Sequence, residues 1–245
     1  PAQRAVVGYG GVGCGKTLIG AHVALEMGQN KVLVVVPPCG GVVFQQWQDE
    51  FDQLGCGAKT LLYHGTGRTT QLAEWTLMAD AAPDVVHILI TSINTLHADA
   101  LTIERSRRAA APGGSSPKIS GKKQARSAEQ WKAAVSTAVA AMGTFGFCIL
   151  DEFHEFRNGS PPTDEKQDID PTKAHYVVLD AITARSRPFV LGLSATPIMN
   201  TPGELFSFLR LGHTSGMHEQ ELKLSMLERS RTSMEKNTKR MFKES

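Results

Sequence analysis

Short apolar runs recur along the chain, with polar and amphipathic stretches between them. The runs are 31–36 (KVLVVV), 59–63 (KTLLY), 85–90 (VVHILI), 145–150 (FGFCIL) and 188–193 (PFVLGL). They are rich in Val, Ile, Leu and Phe, and most lack the apolar–polar alternation of a half-exposed strand. Unbroken runs of this length are expected of strands buried on both faces. The stretches between them carry helical spacing. Phe44, Trp47, Phe51 and Leu54 fall at offsets of 3, 7 and 10 residues and define one apolar face. Helical patterns also cover 17–27, 69–80, 126–142, 173–186 and 202–211. Strand alternating with helix predicts an α/β fold, a parallel sheet with helices on both faces.

Two segments break the rhythm. Residues 105–128 (RSRRAAAPGGSSPKISGKKQARSA) are basic and rich in Ser, Gly, Pro and Ala, which predicts a flexible insertion. Residues 158–172 (NGSPPTDEKQDIDPT) are acidic and Pro-rich, which predicts a surface loop. Both lie within a main domain over 1–212; the tail over 213–245 is charged, and Leu222, Met226 and Leu227 at helical spacing predict a helical extension. The first motif glycine is Gly10, and so early a start reads as a cut from something longer.

Composition adds bounds. The chain has 245 residues, 41% of them hydrophobic, enough for one sizeable core. No apolar run approaches the length of a membrane span, and the N-terminus carries no export-type leader. Cys14, Cys39, Cys56 and Cys148 make no close pair and no metal-ligand spacing with histidine, as for free thiols in a reducing compartment. Net charge is only +2, yet residues 104–132 hold eight Lys/Arg against two Glu. The chain's basic charge is therefore concentrated in and around the insertion.

The candidate chemistry sits at strand ends. Gly10, Gly11, Val12, Gly13, Cys14, Gly15, Lys16 and Thr17 fit the phosphate-loop pattern G-x-x-x-x-G-K-[ST] in full. Glycines let backbone N–H groups point inward around phosphates without a side-chain clash. Lys16 would reach the β- and γ-phosphates, and the Thr17 hydroxyl would ligate Mg²⁺. Helix-compatible residues follow, so the phosphates would also face a helix N-terminus. The apolar run 145–150 leads into Asp151 and Glu152. There Asp151 would hold Mg²⁺ and Glu152 would orient the attacking water. Ser194, Ala195, Thr196 and Pro197 follow the last run. On their own they read better as a capped turn before a helix.

Taken in order, GKT, then DEFH, then SATP, the chain resembles the superfamily-two helicases and translocases, and within them the first RecA-like lobe of the Swi/Snf-type ATPases. Val34–Pro38 followed by Gln46, Trp47, Glu50 and Phe51 is similar to the remodelling-ATPase pattern of strand, proline and Trp-bearing helix. Ile90–Leu96 (ITSINTL) resembles the next, DNA-facing motif. Ile149–Asn158 resembles the extended acidic motif, and Ala195–Asn200 with Glu204 and Phe206 resembles the third motif and its trailing helix. Phe153 stands where Ala is common, Ser194-Ala195 stands where remodellers often carry Thr-Gly, and Gln3 lies too close to the loop to be an adenine-reading glutamine.

The resemblance implies a RecA-like P-loop NTPase domain that binds ATP and Mg²⁺ and moves on double-stranded DNA. It implies that the strand ending at Ser194 lies between the phosphate-loop strand and the Asp-Glu strand. Ser194, Thr196 and His154 would relay nucleotide state. Pro37, Thr91 and Ser92 would face nucleic acid, and a second RecA-like lobe would supply an arginine to the transition state. The basic insertion reads either as a solvated linker or as a further phosphate-binding segment. A remodelling ATPase would be nuclear in a eukaryote and cytoplasmic otherwise. A strand-separating helicase, a non-catalytic ATP-binding scaffold and a P-loop NTPase with no nucleic-acid partner are the alternatives. Intact Lys16, Thr17, Asp151 and Glu152 speak against the scaffold. The Trp-bearing helix and the ATPIMN segment speak against an NTPase without nucleic acid.

Overall fold

A computed structural model describes residues 5–11, 13–38, 41–82, 84–110, 128–156, 174–186 and 189–195. Six strands form one sheet: β1 (Ala5–Tyr9), β2 (Lys31–Val36), β3 (Lys59–Tyr63), β4 (His87–Ser92), β5 (Phe147–Asp151) and β6 (Phe189–Ser194). The order across the sheet is β1-β6-β5-β2-β4-β3, and every pairing is parallel. The helices are α1 (Lys16–Glu26), α2 (Gly41–Gln53), α3 (Arg68–Ala81), α4 (Ile93–Ala110), α5 (Ala128–Ala141) and α6 (Ala174–Ser186), with a 3-10 turn at Phe153–Phe156.

The unbroken apolar runs have the expected cause. On β2, Leu33 and Val35 enter one core cluster, while Val32, Val34 and Val36 enter the other. The larger cluster is closed by Trp75 of α3, Leu96 of α4, Trp131 of α5 and Val178 of α6. The smaller is closed by Ala21 and Ala24 of α1 and by Phe44, Trp47 and Phe51 of α2. The stripe predicted on α2 is thus the face that packs on the sheet. A Cβ on Gly20 would lie 2.8 Å from Trp47 Cη2 and 2.9 Å from Leu193 Cδ1, so α1 meets α2 and β6 where no side chain fits.

Two elements differ from expectation. β1 is an edge strand of five residues (AVVGY) with Val6 exposed on its outer side, so it offers too short and too mixed a run to stand out. α4 runs to Ala110, so residues 105–110 of the predicted insertion are helical. They extend a helix whose start is capped and whose inner face (Leu96, Ala100) is buried. Arg107 Nη2 donates to Thr137 Oγ1 at 2.7 Å and ties α4 to α5. β4, β5 and β6 each begin and end one or two residues later than the apolar runs. The predicted helix 202–211, the loop 158–172, Thr196 and the extension 213–245 lie outside the described residues.

Candidate nucleotide site at the strand ends

All six strands are parallel, so their C-terminal ends share one edge of the sheet, where open α/β sheets bind ligands. β1 delivers the phosphate loop there. Gly10 N donates to Ser194 O at 3.3 Å, which fastens the loop to the end of β6. Gly13 and Gly15 have φ of +77° and +78°, and a Cβ on Gly11, Gly13 or Gly15 would meet nothing within 4 Å. The loop therefore surrounds open space in a backbone conformation that glycine adopts without strain. Gly15 is the N-cap of α1, with no side-chain cap bond and no acidic residue in the first turn. The first N–H groups of α1 and its positive dipole end are left to an anion.

Lys16 Nζ donates to Gly10 O and Gly11 O, both at 3.2 Å. The ammonium thus turns onto its own loop, where the phosphate pattern requires it. Thr17 Oγ1 accepts a long bond, 3.4 Å, from Gln46 Nε2 of α2. A hydroxyl and a carboxylate, both hard oxygen donors, suit Mg²⁺ together with phosphate oxygens. These residues fit Mg²⁺ and a nucleoside triphosphate.

The carboxylate is Asp151, the last residue of β5. Its Oδ2 accepts from Trp47 Nε1 at 2.9 Å, and its Oδ1 accepts from Glu152 N at 3.0 Å. Burial pushes its pKa up from the ordinary carboxylate range; the Trp47 bond opposes this, and the neighbouring Glu152 charge adds to it. The next residue, Glu152, has φ of +48°, the sole non-glycine residue with positive φ among those described. A non-glycine side chain in this conformation costs about 1–3 kcal/mol and persists only where its surroundings hold it. The holder is visible. Ser194 Oγ donates to Glu152 Oε2 at 3.0 Å. His154 Nδ1 lies 2.8 Å from Ser194 Oγ and 3.1 Å from Glu152 Oε2. Ser194 is fully buried, so the three polar groups close a triangle at the junction of β5 and β6.

Sequence-predicted residues thus fall into two groups. Gly10, Gly11, Gly13, Gly15, Lys16, Thr17, Asp151, Glu152, His154 and Ser194 converge on the ends of β1, β6 and β5. Of the relay residues, Thr196 lies outside the described chain. Pro37, Thr91 and Ser92 stand further along the same edge, at the ends of β2 and β4, whose last residues pair as Val36 with Ser92. Pro37 is half-buried. Thr91 is fully buried and its Oγ1 donates to Tyr63 O at 2.9 Å. Ser92 Oγ accepts from Thr95 N at 3.2 Å and lies 3.0 Å from Thr95 Oγ1, capping α4. The Thr91 and Ser92 hydroxyls are thus taken up within the fold, while Asn94 of the same motif is exposed. Sequence reasoning gave Gln46 and Trp47 no role at the nucleotide site. Only their resemblance to the Trp-bearing helix marked them, since α2 is far from Asp151 along the chain.

A glycine loop on one strand, Asp-Glu two strands away, and between them a strand ending in a serine that bonds the glutamate define the nucleotide-binding lobe of a superfamily-two, helicase-like ATPase. The placement of β6 between β1 and β5 is the order that the resemblance implied. The family described as "Type III restriction enzyme, res subunit" matches residues 9–199, and the chain belongs to that family. No curated protein matches the chain. Among solved structures it is similar to the "Sulfolobus solfataricus SWI2/SNF2 ATPase core in complex with dsDNA", at 15% identity and a TM-score of 0.51. That match covers 89% of this chain and 33% of the other, so the chain spans about a third of the protein it resembles.

Proposed function

We propose that this chain binds and hydrolyses ATP with Mg²⁺ as the first lobe of a motor that translocates on double-stranded DNA, of the remodelling or repair type. The observation that carries the reading is the bond of Ser194 to Glu152. It joins the carboxylate that would orient the attacking water to the strand end that leads into the SATP segment. Besides holding Glu152 in place, such a tie gives the state of the carboxylate a route to that segment, which a mechanical output requires.

The roles follow from the positions. Lys16 would leave Gly10 O and Gly11 O for the β- and γ-phosphates. The loop N–H groups and the start of α1 would hold the remaining phosphate charge. Mg²⁺, when bound, supplies charge neutralisation across the phosphates. Thr17 and Asp151 would hold it. Glu152 would orient the water and accept its proton. His154 and Ser194 would keep Glu152 engaged until the lobe closes on nucleotide. DNA would run along the ends of β2 and β4, near Pro37 and Asn94, with backbone N–H groups and basic residues meeting phosphates. The structure similar to this chain was solved with double-stranded DNA. That supports duplex over single-stranded partners.

A second RecA-like lobe would supply an arginine, which in related phosphoryl transfers is worth about three to five powers of ten in rate. Residues 1–245 alone are accordingly expected to bind ATP weakly and to turn over almost none. Joined to a second lobe, they should show turnover that rises with duplex DNA. The test is steady-state ATPase with and without duplex for both chains, with Lys16→Ala as the inactive reference. DNA-stimulated turnover by the short chain equal to that of the long one, or normal turnover by Lys16→Ala, would overturn the reading.

A further inference from the structure

Helix α2 reaches into the nucleotide site with two consecutive residues. Trp47 Nε1 donates to Asp151 Oδ2 at 2.9 Å, and Gln46 Nε2 donates to Thr17 Oγ1 at 3.4 Å. These acceptors are the two side chains that would bind the metal. The contacts differ in kind. Gln46 is exposed and its bond is long, so it yields easily. Trp47 is fully buried, with its ring against Gly20, in the same core cluster as Leu193 and 6.1 Å from the Phe51 ring. A buried indole N–H that loses its acceptor is left unsatisfied, so this bond resists breaking. The fit is close: Gly20 has no side chain, and any Cβ there would drive into Trp47 Cη2.

We infer that Trp47 is a positioning residue for the metal site. Its indole N–H occupies one oxygen of Asp151 and fixes the carboxylate plane, so that a metal would meet a carboxylate already held in one orientation. Oδ1 already accepts from Glu152 N, so the carboxylate is held from both sides. Partners of this kind around a metal ligand set its orientation, and their loss weakens metal binding by about ten- to a hundredfold. Trp47 would touch neither nucleotide nor metal and would act through Asp151 alone. The inference rests on the ATPase reading above.

The test is nucleotide binding rather than turnover. A fluorescent ATP analogue is titrated into residues 1–245 with Mg²⁺ and, separately, with EDTA. The ratio of the two affinities is the gain from metal. Trp47→Phe keeps an aromatic ring in the seat and removes only the donor. It should cut the metal gain about tenfold while leaving the EDTA affinity unchanged. In an Asp151→Asn background the same substitution should change the gain no further. Each variant is its own reference through the EDTA arm, so a modest loss of overall stability cancels. An unchanged metal gain in Trp47→Phe would overturn the inference while leaving the ATPase reading intact. Equal losses with Mg²⁺ and with EDTA would reduce Trp47 to a packing residue and overturn it as well. A wild-type chain whose binding ignores Mg²⁺ would overturn the ATPase reading, and this inference with it.

Discussion

Glu152 shows most directly how a single residue is set by its surroundings. Its backbone lies at φ +48° and its carboxylate is bonded to Ser194. Glu152→Gln preserves the shape and removes the base. Nucleotide should stay bound while hydrolysis in the two-lobe protein falls by about two to three powers of ten, as single-turnover ATPase would show. Asp151 carries a different consequence. Its pKa is raised in the folded chain, so the folded state holds its proton more tightly than the unfolded state does. Stability contributed by the protonated form is therefore lost as pH rises from the ordinary carboxylate range through the folded pKa. Asp151→Asn keeps an acceptor for Trp47 and removes the buried charge. It should raise the nucleotide-free Tm at neutral pH, with the gain shrinking as pH falls into the ordinary carboxylate range. Melting curves across that window check it. A gain that persisted at low pH would point to packing instead of charge.

At the scale of elements, the close approach of α1 to α2 and β6 is the weak point. Gly20→Ala would force its methyl into Trp47 and Leu193, at a cost of about 1–3 kcal/mol, read as a lowered midpoint in urea. This junction also shows what the sequence could and could not tell. β2 and β3 were legible to the residue, because both runs open on a lysine, KVLVVV stops at Pro37 and KTLLY stops at His64. The three runs before β4, β5 and β6 gave the right strands with starts set too early, since apolar residues continue into the entering turns. β1 was invisible: at the edge of the sheet, five residues with an outward Val6 make no pattern. α4 was hidden because its sequence turns basic (IERSRRAA) while the backbone is still helical. The phosphate loop was readable from local pattern alone, and Asp151 and Glu152 from the apolar run before them taken together with that loop. The Glu152–Ser194–His154 triangle needed the sheet order. The Trp47–Asp151 bond, spanning most of the described chain, left no local signal at all.

Across the whole molecule, the ends of the basic insertion are held by α4 and α5, which Arg107 and Thr137 join. Deleting 111–127 with a short linker should therefore leave the melting temperature within a degree or two. If its lysines meet phosphates, duplex affinity should fall modestly and the slope of log affinity against log salt should become shallower. An unchanged slope would assign the segment to plain connection.

The strand order has a consequence in time as well as in space. Among the described strands β1 pairs only with β6, Ala5 opposite Val190, so a strand made early waits for one made about 180 residues later. The phosphate loop is anchored by Ser194 O, and Glu152 is held by Ser194 Oγ, so both halves of the nucleotide site depend on that same late strand. A chain emerging from the ribosome can bury β2, β4 and β3 early, but it has no binding site for a nucleotide until residue 194 is free to pair. Pairings of such long sequence separation are slow to form. ATP, by binding only the completed sheet, would act as a ligand of the final folding step. Refolding followed by tryptophan fluorescence should then show a late phase whose yield, but not whose early amplitude, rises with Mg·ATP.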